Sequence, residues 1–304
     1  MNNSVLAVDL GGTNIRLAAV SAVGHLLYTV KRPTKTASEP AALVAALVEM
    51  AAPCMAAEGS PVAIGLGVPA NVTPEGQIRH LPNIPSLEGF DLGGELGKAL
   101  GIRVVLENDA TAASIGESWL GASKGIDTSI LVTLGTGLGG GVIVNGCALR
   151  GPDGGAGKIG HICVEPDGHP CGCGSNGCIE QYASATALVR MARESGLKVG
   201  DAQELYKAFK AGDKLAVSVF EKMGRYLGIM LAGLVNTLNP EMIVIGGGVA
   251  AGLDAFLPSL EKEIHYRAWE EPAKRARIVR SALGDNAGLL GAAKSALSLI
   301  GLQE

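Results

Sequence analysis

One arrangement of residues occurs twice in this chain, and it limits the fold more than any other feature. Leu6-Ala-Val-Asp-Leu-Gly-Gly-Thr-Asn-Ile-Arg-Leu-Ala-Ala-Val20 and Ile130-Leu-Val-Thr-Leu-Gly-Thr-Gly-Leu-Gly-Gly-Gly-Val-Ile-Val144 share one design. Each is an apolar run, a turn of glycine and threonine, and a second apolar run. Aliphatic and β-branched runs bounded by glycine read as strands, so each copy predicts a strand–turn–strand unit. Repetition of a whole supersecondary unit about one domain apart predicts two similar α/β domains, with a glycine turn from each facing a shared cleft. A length of 304 residues suits two cores better than one.

Between the copies the pattern alternates strands and helices. Strands are expected at Val5–Asp9, Ile15–Val20 and Leu26–Val30 as an antiparallel meander, then at Val62–Val68 and Arg103–Leu106. Helices are expected at Glu39–Ala57, Asp109–Leu120 and Ala287–Leu299. The domain boundary then falls between Leu120 and Thr128. The expected domains are 1–120, joined by the C-terminal helix at 287–304, and 121–286. Leu227, Leu231, Leu234 and Leu238 recur at helical spacing and read as core, as do Cys54 and Cys147 in their apolar surroundings.

Composition removes several function classes. Lys plus Arg is 25 against 29 Asp plus Glu, a net charge of −4, so no phosphate-backbone binding to nucleic acid is expected. Aromatics at 4 % leave little for base stacking. The start, Met1-Asn2-Asn3-Ser4, lacks a basic and apolar leader. The apolar stretch Leu227–Leu238 is too short for a bilayer and carries Asn236. A cytoplasmic chain without membrane association is expected, and its six cysteines read as thiols or metal ligands before disulfides.

The glycine turns carry the first chemical signal. Gly11-Gly12-Thr13 and Gly135-Thr136-Gly137 expose backbone N–H groups beside a hydroxyl, an anion site suited to phosphate oxygens. One such turn alone would read as an ordinary hairpin; two copies favour phosphate binding. Gly135-Thr-Gly-Leu-Gly-Gly140 also matches the dinucleotide fingerprint, but that fingerprint needs a helix next, and Gly141-Val-Ile-Val144 is strand-like. Gly65-Leu-Gly-Val-Pro-Ala70 fails at Pro69, and no phosphate loop ending in Gly-Lys-Ser/Thr exists.

Asp9 ends a strand beside the first turn, a place suited to a hydrated Mg²⁺. Asp109 lies between a strand and a helix; it reads either as a helix N-cap or as a general base. Cys171-x-Cys173-x₄-Cys178, with intervening glycines, lets three thiolates converge on one ion such as Zn²⁺. The fourth ligand is His161, His169 or Cys163 on spacing alone, and the absence of oxygen donors makes the metal structural. Gly246-Gly247-Gly248 follows the strand Met242–Ile245 and is bare enough to lie against a purine or ribose.

Together these pieces resemble the ROK family of bacterial sugar kinases and sugar-responsive repressors, over essentially the whole length. Asp9-Leu-Gly-Gly-Thr-Asn-Ile-Arg16 and Gly135–Gly141 look like its two phosphate motifs, Glu107-Asn-Asp-Ala-Thr-Ala-Ala113 like its catalytic segment. Gly160-His161 followed by Cys171–Glu180 looks like its zinc and sugar segment. The resemblance implies a two-domain actin/hexokinase-like (ribonuclease H-like) fold with an interdomain cleft. It implies Asp109 as base, and Asn83, Asn108, Asp109, His161 and Glu180 as sugar contacts. It places nucleotide on Asp9, Gly11, Gly12, Thr13, Asn14, Gly135, Thr136, Gly137, Gly247 and Gly248. It selects His161 to join Cys171, Cys173 and Cys178 on zinc.

The implied activity is transfer of the ATP γ-phosphoryl, with Mg²⁺, to the 6-hydroxyl of a hexose, glucose first, in a dimer or tetramer of like chains. Another hexose or an N-acetylhexosamine is the alternative acceptor. One departure stands out: the family reads Glu-x-Gly-His, and this chain reads Lys158-Ile-Gly-His161. Lysine donates only, so an altered sugar preference, weakened turnover or a silent sugar binder is the competing expectation. A repressor would need a DNA-binding helix pair, for which four residues before the first strand leave no room.

Overall fold

The structure is a computed structural model that describes residues 4–37, 39–56, 60–79 and 84–302. The chain divides into two compact units. The first comprises Met1–Gly125, Cys147–Gly157 and Asp285–Glu304; the second comprises Ile126–Gly146 and Lys158–Gly284.

In the first unit, β1 (Ser4–Leu10), β2 (Asn14–Ser21) and β3 (Leu26–Pro33) form the expected meander. Then come α1 (Pro40–Met55), β4 (Ala63–Val68), a small hairpin of β5 (Asn71–Val72) and β6 (Ile78–Arg79), α2 (Leu92–Leu100), β7 (Arg103–Asn108) and α3 (Asp109–Leu120). The sheet order is β3-β2-β1-β4-β7, antiparallel in the meander and parallel from β1 onward. Helix α1 begins with Pro40 at its first turn, where a missing N–H costs nothing, and ends at Met55, inside the expected 39–57.

Strand alternation sorts β1 onto two faces. Leu6, Val8 and Leu10 pack with Leu43, Leu47, Met50, Leu92 and Leu96, an aliphatic layer from α1 and α2. The other face is built from small residues: a Cβ on Gly65 would run into the Ala292 carbonyl, and one on Gly291 into the Ala112 carbonyl. Backbones of the sheet, of α3 and of the C-terminal helix Ala287–Leu299 therefore nearly touch. Asp9 lies on this face, and the C-terminal helix begins beside it.

In the second unit, β8 (Ser129–Leu134) and β9 (Leu138–Val144) form the repeated hairpin; the two-residue β10 (Cys147–Ala148) that follows in sequence is counted with the first unit. After α4 (Ala185–Glu194), α5 (Ala202–Lys210) and α6 (Lys214–Leu238) come β11 (Met242–Gly246), α7 (Leu253–Arg267), α8 (Glu270–Arg275) and β12 (Arg277–Arg280); α9 is the C-terminal helix Ala287–Leu299. The order β9-β8-β11-β12 follows the path of β2-β1-β4-β7. Leu227 and Leu231 of α6 are fully buried, and Leu234 and Leu238 pack at the margin.

Cys147 corrects one expectation. It is exposed rather than core, because it follows a tight turn in which Asn145 and Gly146 both take positive φ, at the surface of the hairpin. Cys54 is buried in the first unit as expected. Among the described residues no helix is long and apolar enough to cross a membrane.

Candidate active site

The first glycine turn is held by its own backbone and by one threonine. Gly11 N–H donates to the Asn14 carbonyl (2.9 Å), Thr34 N–H to the Thr13 carbonyl (2.9 Å), and Thr34 Oγ1 to the Gly11 carbonyl (2.7 Å). Gly12 and Thr13 are exposed at the tip, with Gly11 and Asn14 half-buried. Just before the turn, Asp9 pairs across the strands with Arg16. The Arg16 guanidinium reaches on to the Asp285 carbonyl and, at 2.5 Å, to Asn286 Oδ1, tying the hairpin to the start of α9. Burial lifts the Asp9 carboxyl to about 6; Arg16 pulls it down, and the neighbouring Asp109 and Asp285 carboxylates add to the lift.

Asp109 is not the cap of α3. Asn108 is: its Oδ1 accepts from Thr111 N–H (3.1 Å), leaving Asp109 at the first helical position, where the helix dipole favours an anion. Asn108 Nδ2 donates to the Ala70 carbonyl (3.1 Å) and to Asp109 Oδ1 (3.0 Å), and Ala110 N–H donates to the same oxygen (2.8 Å). One carboxylate oxygen of Asp109 is thus fixed by two donors. Asp9 and Asp109 both stand at the C-terminal ends of parallel strands, the end at which open α/β sheets bind ligands.

The second turn has a larger support. Gly135 N–H donates to the Gly137 carbonyl (3.0 Å), Ala185 N–H to the Gly135 carbonyl (2.8 Å) and Thr186 Oγ1 to the Thr136 carbonyl (2.8 Å), which welds the start of α4 to the turn. Glu180 Oε2 accepts from Leu138 N–H (3.0 Å), and a Cβ on Gly137 would collide with that carboxylate. The residues that follow the glycines are the strand beginning at Leu138 and not the helix that the fingerprint needs next in sequence, so the dinucleotide reading fails on structure as on sequence. Gly247, at φ +80°, packs on the Leu134 carbonyl, while Gly248 faces open space. Gly135–Gly137, Gly247 and Gly248 therefore share one end of the second sheet.

A cavity of about 540 Å³ opens beside Thr136, lined by Thr186, Val189, Arg190, Arg193 and Asp201 among others. Sequence reasoning did not single out these α4 and α5 residues. The available signal was Ser184-Ala-Thr-Ala187, whose Ser184 caps α4 by accepting from Ala187 N–H (3.1 Å).

His161, Cys171, Cys173 and Cys178 bring their ligand atoms within 4.8 Å of one another. His161 Nδ1 is 3.6 Å from Cys171 Sγ, and Cys173 Sγ is 3.6 Å from Cys178 Sγ. Burial pushes the Cys178 thiol up to about 12, while a backbone hydrogen bond at Ser175 draws Cys173 down. Cys163 is exposed and stands outside this group, and His169 gives its backbone N–H to the Tyr182 hydroxyl (3.1 Å). Glu180 spans from this cluster to the second turn, with Oε1 3.8 Å from Cys171 Sγ. Lys158 immediately precedes the short helix Ile159–His161. Asn83 lies outside the described residues. Asn108 and Asp109 belong to the first unit, His161 and Glu180 to the second.

The family model described as ROK family matches residues 5–298. The glucokinase of Thermotoga maritima is 36% identical, over 98% of this chain and 98% of that protein. Among solved structures, the ROK hexokinase from Thermus thermophilus superposes with a TM-score of 0.86 at 38% identity, covering 98% of this chain and 99% of that one. A ROK family glucokinase from Streptomyces griseus, solved with glucose and AMPPNP, gives a TM-score of 0.82 at 34% identity, covering 97% and 100%. The fold is thus the actin/hexokinase-like α/β fold, and the chain belongs to the ROK family.

Proposed function

We propose that this chain transfers the γ-phosphoryl group of ATP to the 6-hydroxyl of a hexose, with glucose as the first acceptor. The observation that carries the reading is Asp109. It sits at the first turn of α3 with Oδ1 fixed by Asn108 Nδ2 and Ala110 N–H, beside Asp9 and the first phosphate turn. A carboxylate held this way has one orientation in which to accept the proton of an acceptor hydroxyl.

In this mechanism the acceptor contacts are Asn83, Asn108, Asp109, His161 and Glu180, and Asp109 takes the hydroxyl proton as the oxygen attacks. With the Gly11 and Gly135 N–H groups spent on closing their turns, the N–H groups of Gly12–Asn14 and of Thr136 and Gly137 are the ones assigned to the phosphates, and the nucleoside occupies the end of the second sheet at Gly247, Gly248 and the cavity beside Thr136. Asp9 is the carboxylate placed to hold the hydrated Mg²⁺ that travels with ATP, and that ion neutralises phosphate charge when bound. Positioning and electrostatics supply most of the rate in such transfers.

Three thiols and one imidazole nitrogen within 4.8 Å of one another fit a tetrahedral zinc ion, for which sulfur and nitrogen donors are the preferred set. His161, Cys171, Cys173 and Cys178 would hold it, and it would serve as a cross-link that keeps the segment carrying His161 and Glu180 rigid. The reading includes a cytoplasmic homo-oligomer, dimer or tetramer, which light scattering on purified protein measures.

The test is ADP release from Mg-ATP across a panel of hexoses and N-acetylhexosamines, with ³¹P NMR to locate the new phosphate ester. Glucose 6-phosphate as the main product supports the proposal. Turnover with an N-acetylhexosamine alone replaces the acceptor, and no turnover with any sugar in folded, zinc-loaded protein overturns the kinase.

A further inference from the structure

Glu107 lies two residues before Asp109, and its side chain is 7% exposed. A carboxylate so buried needs a charged or hydrogen-bonding partner. Arg150 supplies it: Nε and one terminal nitrogen both donate to Glu107 Oε2, at 2.9 and 2.7 Å. The other oxygen, Oε1, faces the backbone N–H of Asn108 at 3.3 Å. Asn108 in turn holds Asp109 through Nδ2. A continuous line of polar contacts therefore runs from Arg150 to the proposed base.

Arg150 comes from Cys147–Gly157, a stretch that belongs to the first unit although its flanks belong to the second. The stretch is closed on itself by Ala156 N–H donating to the Arg150 carbonyl (3.0 Å) and Gly155 N–H donating to Asp153 Oδ1 (3.0 Å). Gly154, at φ +75°, lies so close to the Val72 carbonyl that no Cβ fits. Two residues before Val72, the Ala70 carbonyl accepts from Asn108 Nδ2 (3.1 Å). The contacts Arg150–Glu107, Asn108–Ala70 and Gly154–Val72 thus close a ring around the end of β7. The chain leaves this ring at Gly157, one residue before Lys158 and the short helix that carries His161.

We infer that Arg150 is a positioning residue: through Glu107 it fixes the backbone and side chain of Asn108, and so the orientation of Asp109, while anchoring the strap from which the His161 segment departs. The inference rests on the kinase reading for its kinetic consequence, not for its structural one. Arg150→Met is expected to lower kcat and raise the acceptor KM, each on the order of tenfold, because misplacement of a base by under an ångström is costly. The ATP KM stays within about twofold. A role in stability alone would lower the folded fraction and leave both KM values and kcat per folded molecule unchanged.

Three further measurements secure the assignment. Arg150→Lys, which keeps the charge but not the fork, recovers part of the loss. Methylguanidinium added to Arg150→Ala also restores turnover, since the Arg150 side chain is 48% exposed and the site is open to it. In a Glu107→Gln background, Arg150→Met costs nothing further, as members of one network are not additive. Hydrogen exchange gives a readout independent of activity: the amides of Thr111, Gly155 and Ala156 exchange faster in Arg150→Met than in the parent protein. Wild-type exchange at these amides, or an unchanged acceptor KM and kcat, overturns the inference. If the parent protein phosphorylates no sugar, the kinase reading has failed, and the exchange rates still decide whether Arg150 fixes this junction.

Discussion

The two hairpins began as the same design and differ where the chemistry differs. Asp9 in β1 and Thr133 in β8 occupy equivalent places: each ends one residue short of its turn's strand and faces a glycine across the parallel pair, Gly67 for Asp9 and Gly246 for Thr133. Across the antiparallel pair, Asp9 faces Arg16 and Thr133 faces Gly139. The first hairpin closes Leu10 on Ile15 and the second Leu134 on Leu138, so the first turn holds one residue more. The first hairpin has collected charge: Arg16, Asp109 and Asp285 all act on Asp9. The second has collected bracing: Glu180, Thr186 and the start of α4. Under the proposed function this is a division of labour in which one frame carries the ionised, reacting side and the other a rigid seat for the donor.

Exchanging the charged position breaks this comparison most severely. Asp9→Asn is expected to cut turnover by roughly 10²–10⁴-fold, the range for losing a group that acts on developing charge, whereas Thr133→Val should change it by less than about threefold. The same Asp9→Asn variant should be more stable without ligand. The folded carboxyl is raised from 3.8 to about 6, so Asp9 favours folding below pH 3.8 and that advantage is lost as the pH rises through 6. At pH 7 the ionised group is a burden that asparagine removes, by about 1–3 kcal/mol. Thermal melts of both proteins at pH 5 and pH 8 check this, with the gap wider at pH 8. A variant that is inactive and also less stable at pH 8 would show that Asp9 is structural.

Metal removal addresses the braced side. Stripping the proposed zinc from the Cys₃His cluster with a chelator should lower Tm by several degrees and weaken sugar binding by about tenfold, a loss typical of disturbed ligand support. Elemental analysis before and after, with calorimetric titration of glucose, measures both. Sugar binding and Tm unchanged in metal-free protein would separate the cluster from the site.

The bracing threonines are a finer comparison. Thr34→Val removes a buried hydroxyl and its 2.7 Å bond to Gly11, and should cost about 1 kcal/mol and raise the ATP KM about fivefold. Thr186→Val removes a bond of similar length, but Ala185 N–H still holds Gly135, so a change under about twofold is expected. Equal effects would mean that the second turn's extra support is redundant in structure only. A modest change is expected in acceptor choice. Lys158→Glu, which restores the acceptor typical of the family, should shift relative kcat/KM among hexoses by a few-fold. An unchanged sugar profile removes Lys158 from specificity.

Much of this was legible in local pattern. The repeat located both hairpins, and the Asp109–Leu120 helix has the bounds expected for it, although its cap is Asn108. The rejected dinucleotide fingerprint was readable because the residues after the glycines are β-branched. What local pattern does not encode is return of the chain over distance. Nothing in Cys147–Gly157 announces that it joins the first unit, or that Arg150 meets a glutamate 43 positions earlier. Cys147 misled because its apolar neighbours lie on a hairpin edge rather than in a core. Asp109 read equally as cap or base until the Asn108 side chain was seen to take the cap. Spacing left three choices for the fourth member of the cysteine cluster; only folding brings the His161 ring to Cys171.

The central claim is that Asp109 performs chemistry on an acceptor that other residues bind. Asp109→Asn tests it directly when glucose binding and single-turnover phosphoryl transfer are measured on the same preparation with saturating Mg-ATP. Glucose bound within about fivefold of the parent affinity, with transfer slowed by about 10³-fold or more, is the predicted result. Transfer at a near-parental rate would contradict the account and remove Asp109 as the base.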